Sequence, residues 1–209
     1  MQIDPASLDR IATYRLMIST IVPRPIAWVS TLSKDGVANA APFSYFQALG
    51  GKPPMLMIAV GRRRGGDSKD TAQNIADTGE FVVNVVSEDA GAAMVMTSVD
   101  YPPETSEFDE VGLEAAPSVI VKTPRIAQCK VAMECKLDRV LDLAGSAVCV
   151  GRIVLFHVAD GLMDENGTVD PHKLRPLGRL GGSNYLPLRD VLAITQDGSV
   201  ATVPGDRNK

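Results

Sequence analysis

The sequence has no G-x-G-x-x-G between a strand and a helix and no Walker-type lysine loop, which excludes the two commonest nucleotide cradles. It has only two histidines, His157 and His172, too few for a His-rich metal centre. Its three cysteines, Cys129, Cys135 and Cys149, are odd in number and lack metal-ligand spacing. Cys129 and Cys135 fall in one expected strand, roughly 20 Å apart when extended, too far to bridge. They read as small buried hydrophobes in a reducing compartment. No stretch approaches the roughly 18 apolar residues of a membrane span, and the N-terminus shows no basic-plus-apolar leader. Nor is there a basic excess: 25 acidic residues stand against 21 basic ones, a net charge of -4. A cytoplasmic protein with no membrane and no nucleic-acid partner is expected.

What the chain does have is a succession of short strands. At 209 residues it can bury roughly 70% of its unfolded surface and needs no staple. No repeat or linker divides it, so a single domain over 1–209 is expected. Met55–Val60 is an apolar run between Pro53-Pro54 and a Gly-rich loop, and Phe81–Val86 is a second, β-branched one interrupted by Asn84. Ile126–Leu141 alternates apolar and polar residues. Ala147–Val158 is nearly continuous after a turn at Gly145-Ser146, and Gly151 inside it predicts a bend or bulge. Helical spacing is confined to a turn opening Ser7–Ser19, to Ser68–Asp77 and to Ala90–Thr97. In the second of these, Asp67 or Ser68 is the expected cap and Gly79 the stop. A Pro-rich, acidic excursion spans about 98–124, and 190–209 reads as a tail. Hairpin-linked strands with few helices predict a mainly β fold, an antiparallel barrel rather than a parallel α/β sheet.

The densest chemistry lies between Pro23 and Phe46. Pro25 belongs at a strand start, after which Ile26, Trp28 and Ser30 face one side and Ala27, Val29 and Thr31 the other. Asp35-Gly36 makes the turn. On the return strand Pro42 is expected to end the ladder, freeing the backbone N–H groups of Phe43, Ser44 and Tyr45. Such a hairpin suits an ordinary bulged core element, and equally one wall of a slot for a flat apolar ligand with polar edges.

A second candidate is Arg62-Arg63-Arg64-Gly65-Gly66-Asp67-Ser68-Lys69-Asp70-Thr71, which joins a strand to a helix start. Helix N-terminal N–H groups with Lys69 and the Thr71 hydroxyl would cradle a phosphate. A capped helix with its charges in water satisfies the same residues. Arg179, within Gly178-Arg179-Leu180-Gly181-Gly182, is a candidate contact for an anionic substrate or a nicotinamide phosphate; the alternative is a surface or interface ion pair. Trp28 and His157 read as packed residues.

In order and spacing, several segments together resemble the flavin reductase-like, FMN-binding split-barrel family. They are Arg24-Pro25-Ile26-Ala27-Trp28-Val29-Ser30-Thr31, Asp35-Gly36 to Asn39-Ala40-Ala41-Pro42-Phe43-Ser44, Lys69-Asp70-Thr71 with Asn74, Phe81-Val82-Val83-Asn84-Val85, and Gly178–Gly182 with Tyr185. The resemblance covers about residues 10–190. It implies a six-stranded antiparallel Greek-key split barrel with a few short helices, and a homodimer with FMN near the subunit interface. It also implies that Ser30, Thr31, Pro42, Phe43, Ser44 and Tyr45 line the isoalloxazine and ribityl groups, with Lys69, Asp70, Thr71 and Arg62 toward the phosphate. The expected activity is reduction of FMN by NADH or NADPH, with electrons passed to a small-molecule substrate, an oxygenase or another electron-acceptor protein. The flavin carries that chemistry, so no catalytic side chain is expected. A non-enzymatic FMN-binding electron carrier would need the same pocket.

Overall fold

The computed structural model describes residues 1–63 and 65–205; Arg64 of the arginine run and residues 206–209 of the tail lie outside the described residues. The chain begins with α1 (Arg10–Thr20), β1 (Ala27–Leu32), β2 (Ala38–Phe43), β3 (Phe46–Gly51) and β4 (Pro54–Gly61). It continues through α2 (Asp70–Thr78), β5 (Glu80–Val85), α3 (Gly91–Met96), α4 (Glu107–Val111), β6 (Ala115–Ala116) and β7 (Arg125–Ile126). Two long strands follow, β8 (Val131–Leu143) and β9 (Ser146–Val158). The last elements are α5 (Pro171–Leu174), β10 (Leu177–Arg179), β11 (Tyr185–Pro187), β12 (Val191–Ile194) and β13 (Val200–Val203).

Seven strands make one antiparallel sheet in the order β2-β1-β5-β8-β9-β4-β3. Its two end strands, β2 and β3, are consecutive pieces of chain parted only at Ser44-Tyr45. Counted as one bent strand, they close the sheet into a six-stranded barrel split at that bend. Strand β5 returns beside β1 while β2, β3 and β4 follow in hairpins, which is Greek-key order. The fold is the expected mainly β split barrel.

The alternation along β1 sorts two cores. Val29 points into the barrel with Leu56, Ile58, Val60, Phe81 and Val83, while Ala72 and Ile75 of α2 plug one end. Each such large side chain contributes roughly 1.5–3 kcal/mol on burial. Ile26 and Trp28 point the other way, beneath Met94 of α3 and Phe108 of α4. The Trp28 indole Nε1 donates to Thr97 Oγ1 at 2.9 Å, so Trp28 is a satisfied core residue.

Local chemistry departs from the sequence reading at several points. Neither Asp67 nor Ser68 caps α2; Lys69 occupies the cap position and makes no side-chain cap bond, while Gly79 closes the helix at φ 70°. The β8–β9 turn falls one residue earlier than expected, at Ala144-Gly145, both with positive φ as a tight hairpin requires. Gly151 does sit at the expected irregularity, since the β8–β9 register shifts between Leu137 and Arg139 opposite it, and it also answers a close approach: a Cβ there would clash with the Phe81 ring. Cys129 precedes β8 instead of lying in it, and all three cysteines are free and buried. Burial pushes the Cys129 thiol up to about 12 and that of Cys149 to about 11, so neither is a ready nucleophile.

The acidic excursion is less irregular than its composition suggests. The Glu134 carboxylate, fully buried on β8, accepts the N–H groups of Val119, Ile120 and Val121 at 2.7, 2.7 and 2.9 Å. His157 Nε2 meets the same carboxylate at 2.6 Å. Burial by itself would raise this carboxyl, but the His157 contact and the three amides outweigh it and hold the value at about 2.

Two elements stay at the surface. Helix α1 buries no residue, leaving Ile11, Tyr14, Leu16 and Met17 exposed, and the β12–β13 hairpin exposes Leu192, Ile194 and Val200. Among the described residues, no helix is long and apolar enough to cross a membrane.

Candidate functional site

Two clefts meet at the end of β2. The smaller, about 60 Å³, is lined by Asn39, Arg63, Lys69, Asp70, Thr71 and Glu107 among others. The larger, about 270 Å³, is lined by Tyr14, Arg24, Ser44, Met94, Arg179 and Tyr185 among others. Pro42, Phe43 and Ser98 border both, so the two read as one groove.

Pro42 does not end the ladder. It pairs opposite Trp28, and Phe43 still pairs opposite Ala27. A proline is tolerated there because β2 is paired on one side only. The break comes at Ser44-Tyr45, whose N–H groups meet no acceptor among the described residues. Tyr45 is exposed and lies outside both clefts.

At the smaller cleft, α2 starts without a side-chain cap, so the N–H groups of Asp70, Thr71 and Ala72 also meet no acceptor among the described residues. A buried polar network fixes that first turn. The Thr71 and Thr31 hydroxyls donate to Asn39 Oδ1 at 3.0 and 3.2 Å, and Asn39 Nδ2 donates to the Glu107 oxygens at 2.8 and 2.9 Å. Glu107 also accepts the Ala40 N–H, and Asn74 Nδ2 donates to Thr31. Burial pushes the Glu107 carboxyl up, with Asp70 adding to the effect. Lys69 Nζ lies 3.7 Å from Asp100, and Arg63 Nη2 donates to Asp70 at 2.5 Å. The Arg63 Nε is buried and has no partner among the described residues.

The expected residues therefore divide. Pro42, Phe43, Ser44, Lys69, Asp70, Thr71 and Arg179 border the groove. Ser30 and Thr31 stand fully buried behind its wall: Ser30 donates to the Pro124 carbonyl at 2.6 Å and accepts from Asn84, and Thr31 belongs to the Asn39 network. Arg62 turns toward the β8–β9 hairpin, donating to Asp142 at 2.5 Å and to Gly66, and its neighbour Arg63 takes the place beside Asp70.

Sequence reasoning missed Arg24, Arg63, Asn39 and Glu107 as groove residues. Arg24 between two prolines, and an Asn facing a hairpin turn, were signals of a kind. Nothing local marked Glu107 among the other acids of the excursion.

A model of the flavin reductase like domain matches residues 18–177. The chain belongs to the flavin reductase-like family. It is 47% identical over 173 residues to an uncharacterized protein of Aquifex aeolicus, covering 83% of this chain and 88% of that one. Among solved structures it is similar to nitrilotriacetate monooxygenase component B from Bacillus cereus, at 34% identity and TM-score 0.90 over 93% of this chain and 98% of that chain. It is also similar to 2-nitrobenzoate 2-nitroreductase of Pseudomonas fluorescens, at 34% identity and TM-score 0.86 over 100% and 99%.

Proposed function

We propose that this chain is an FMN-dependent oxidoreductase that accepts hydride from NADH or NADPH and delivers electrons to a small molecule or a partner protein. One observation carries the reading: the groove gathers polar donors that the protein itself leaves unused. Asp70 and Thr71, whose N–H groups meet no acceptor among the described residues, and Arg63 with its buried Nε border the small cleft, as a phosphate requires. Ser44, whose N–H meets no acceptor among the described residues, borders the larger cleft, as the polar edge of an isoalloxazine requires. The residues present thus fit FMN.

In this reading Lys69, Arg63 and the α2 amides hold the phosphate. Asp70 aims Arg63, and the Asn39–Glu107 network keeps the first turn of α2 in register with β2. Ser30 and Thr31 act from behind the wall. The flavin supplies the redox chemistry when bound. Phe43, Pro42 and Met94 offer its ring an apolar slot, and no side chain is required to take or give a proton in the hydride step itself.

The whole chain is taken as one domain, acting as a homodimer in the cytoplasm. The exposed apolar residues of α1 support pairing, and three free cysteines support a reducing compartment. The acceptor has two readings. The name of the Bacillus cereus protein points to an oxygenase partner and that of the Pseudomonas protein to a nitroaromatic substrate. The arginine-bearing larger cleft favours an anionic small molecule, with Arg179 its contact.

The test is the absorbance spectrum of the purified protein with added FMN, followed by anaerobic titration with NADH and NADPH. A flavin spectrum that bleaches is the expected result. Binding without bleaching by either nucleotide leaves only an electron carrier, and failure to bind FMN at micromolar concentration sinks both readings.

A further inference from the structure

We infer that Arg24 is a positioning residue that raises the electron affinity of the bound flavin, by holding the Ser44 hydroxyl as a donor into the larger cleft and by placing an unneutralised charge beside it. This rests on the flavin site proposed above.

The Arg24 guanidinium is 6% exposed and tightly held. Nη1 donates to the carbonyls of Ile18 and Ile21 at 2.8 and 2.9 Å, at the C-terminal end of α1. Nη2 donates to the Leu180 carbonyl at 3.0 Å, and Nε to Ser44 Oγ at 3.3 Å. Those bonds use four of its five N–H groups. Every acceptor is neutral, and among the described residues Arg24 has no carboxylate partner. The carbonyl end of α1, worth about half a negative charge, orients the cation and offsets only part of its charge.

Arg179 strengthens the same field. It borders the same cleft, stacks 4.5 Å over the Tyr185 ring, and donates to the Gly182 carbonyl at 2.5 Å. Among the described residues no Asp or Glu lines this cleft. In the smaller cleft, by contrast, both cations have acids: Arg63 has Asp70 and Lys69 has Asp100.

Two consequences follow for a flavin. Ser44 Oγ receives a charged N–H, so its own proton, which meets no acceptor among the described residues, is left for the cleft. Such a relay is cooperative, and a cation at its head makes the hydroxyl a stronger donor. Were FMN bound and reduced by hydride from a nicotinamide, which would be oxidised in turn, its ring would gain one proton and two electrons. The added negative charge is what a desolvated, fixed cation bordering the cleft would favour over the neutral oxidised ring.

The experiment uses the FMN-loaded protein and reads sulfite affinity and midpoint potential, since sulfite adds only to an electron-poor flavin. Arg24→Gln should weaken sulfite about tenfold and lower the two-electron midpoint by the matching ~30 mV. Arg24→Lys should recover most of that, and Ser44→Ala should lose about threefold. The FMN dissociation constant, measured alongside, separates electron affinity from simple binding. Unchanged sulfite affinity in Arg24→Gln and Ser44→Ala overturns the inference. An equal loss in the Lys and Gln variants also overturns it, since that is what a purely structural guanidinium would give. Should Arg24→Gln fail to fold, Ser44→Ala decides alone, because it leaves the α1 contacts in place. Failure of the unaltered protein to bind FMN would instead remove the site reading, and shows in the first spectrum.

Discussion

The two ends of the groove hold their positive charge in opposite ways. At the α2 end each cation already leans on an acid, Arg63 on Asp70 and Lys69 on Asp100, and the unused donors are backbone N–H groups and one buried Nε. At the other end Arg24 and Arg179 lean only on carbonyls and hydroxyls. Acid-paired cations are partly neutralised until a stronger anion competes for them, which suits a permanently doubly charged phosphate. Carbonyl-held cations keep their charge at all times, which suits a group whose charge appears only during reaction. The difference separates a part of the site that anchors from a part that tunes.

The comparison can be broken most directly at the anchoring end. Lys69→Ala should raise the FMN dissociation constant about fiftyfold, since a charge-assisted hydrogen bond is worth roughly 1.5–3 kcal/mol. Riboflavin, which lacks the phosphate, should change by less than about threefold. Isothermal titration of both ligands checks this, and equal losses would reduce the segment to a helix start. Next in size, Arg63→Ala should weaken FMN about tenfold and Arg62→Ala by no more than about twofold, because only Arg63 borders the cleft. A reversed order would return Arg62 to the site.

Salt gives a smaller and gentler probe. Raising ionic strength from about 0.05 to 0.5 M should weaken FMN about fivefold and leave riboflavin nearly level, if the phosphate end is the electrostatic one.

A control outside the groove should leave ligand binding alone. Glu134→Gln should keep FMN affinity within about twofold while lowering the thermal midpoint by about 5 °C at neutral pH. The sign follows from the carboxyl held at about 2 in the fold against an ordinary value of 4.5. Its contribution is full above the ordinary value and disappears as pH falls toward 2. The gap between variant and parent should therefore close in melting curves taken from pH 7 down to pH 3.

Much of the barrel was legible because its signals are local. The alternation of Ile26 to Thr31 sorted both cores correctly, and the Met55–Val60 and Phe81–Val86 runs became β4 and β5. Closure of the sheet was not legible from any one segment. It depends on β2 and β3 being two halves of one bent strand that pair with β1 and β4 respectively.

The site divides in the same way. Lys69-Asp70-Thr71 could be found because a helix start announces itself in sequence. The choice between Arg62 and Arg63 could not, since adjacent residues leaving a strand point to opposite sides and a single residue of phase decides which meets the groove. Glu107 is the clearest loss. It reaches Asn39 from 68 positions away, and its role exists only once α4 packs on β2.

The three amides gathered by Glu134 have a further consequence, one of time rather than shape. Val119 and Ile120 expose 75% and 46% of their area, as loop residues do, yet their N–H groups end on a fully buried carboxylate. Their protons should exchange with solvent on the slow clock of the barrel strands rather than the fast clock of a loop. For these residues, wetness of the side chain and mobility of the backbone are different quantities.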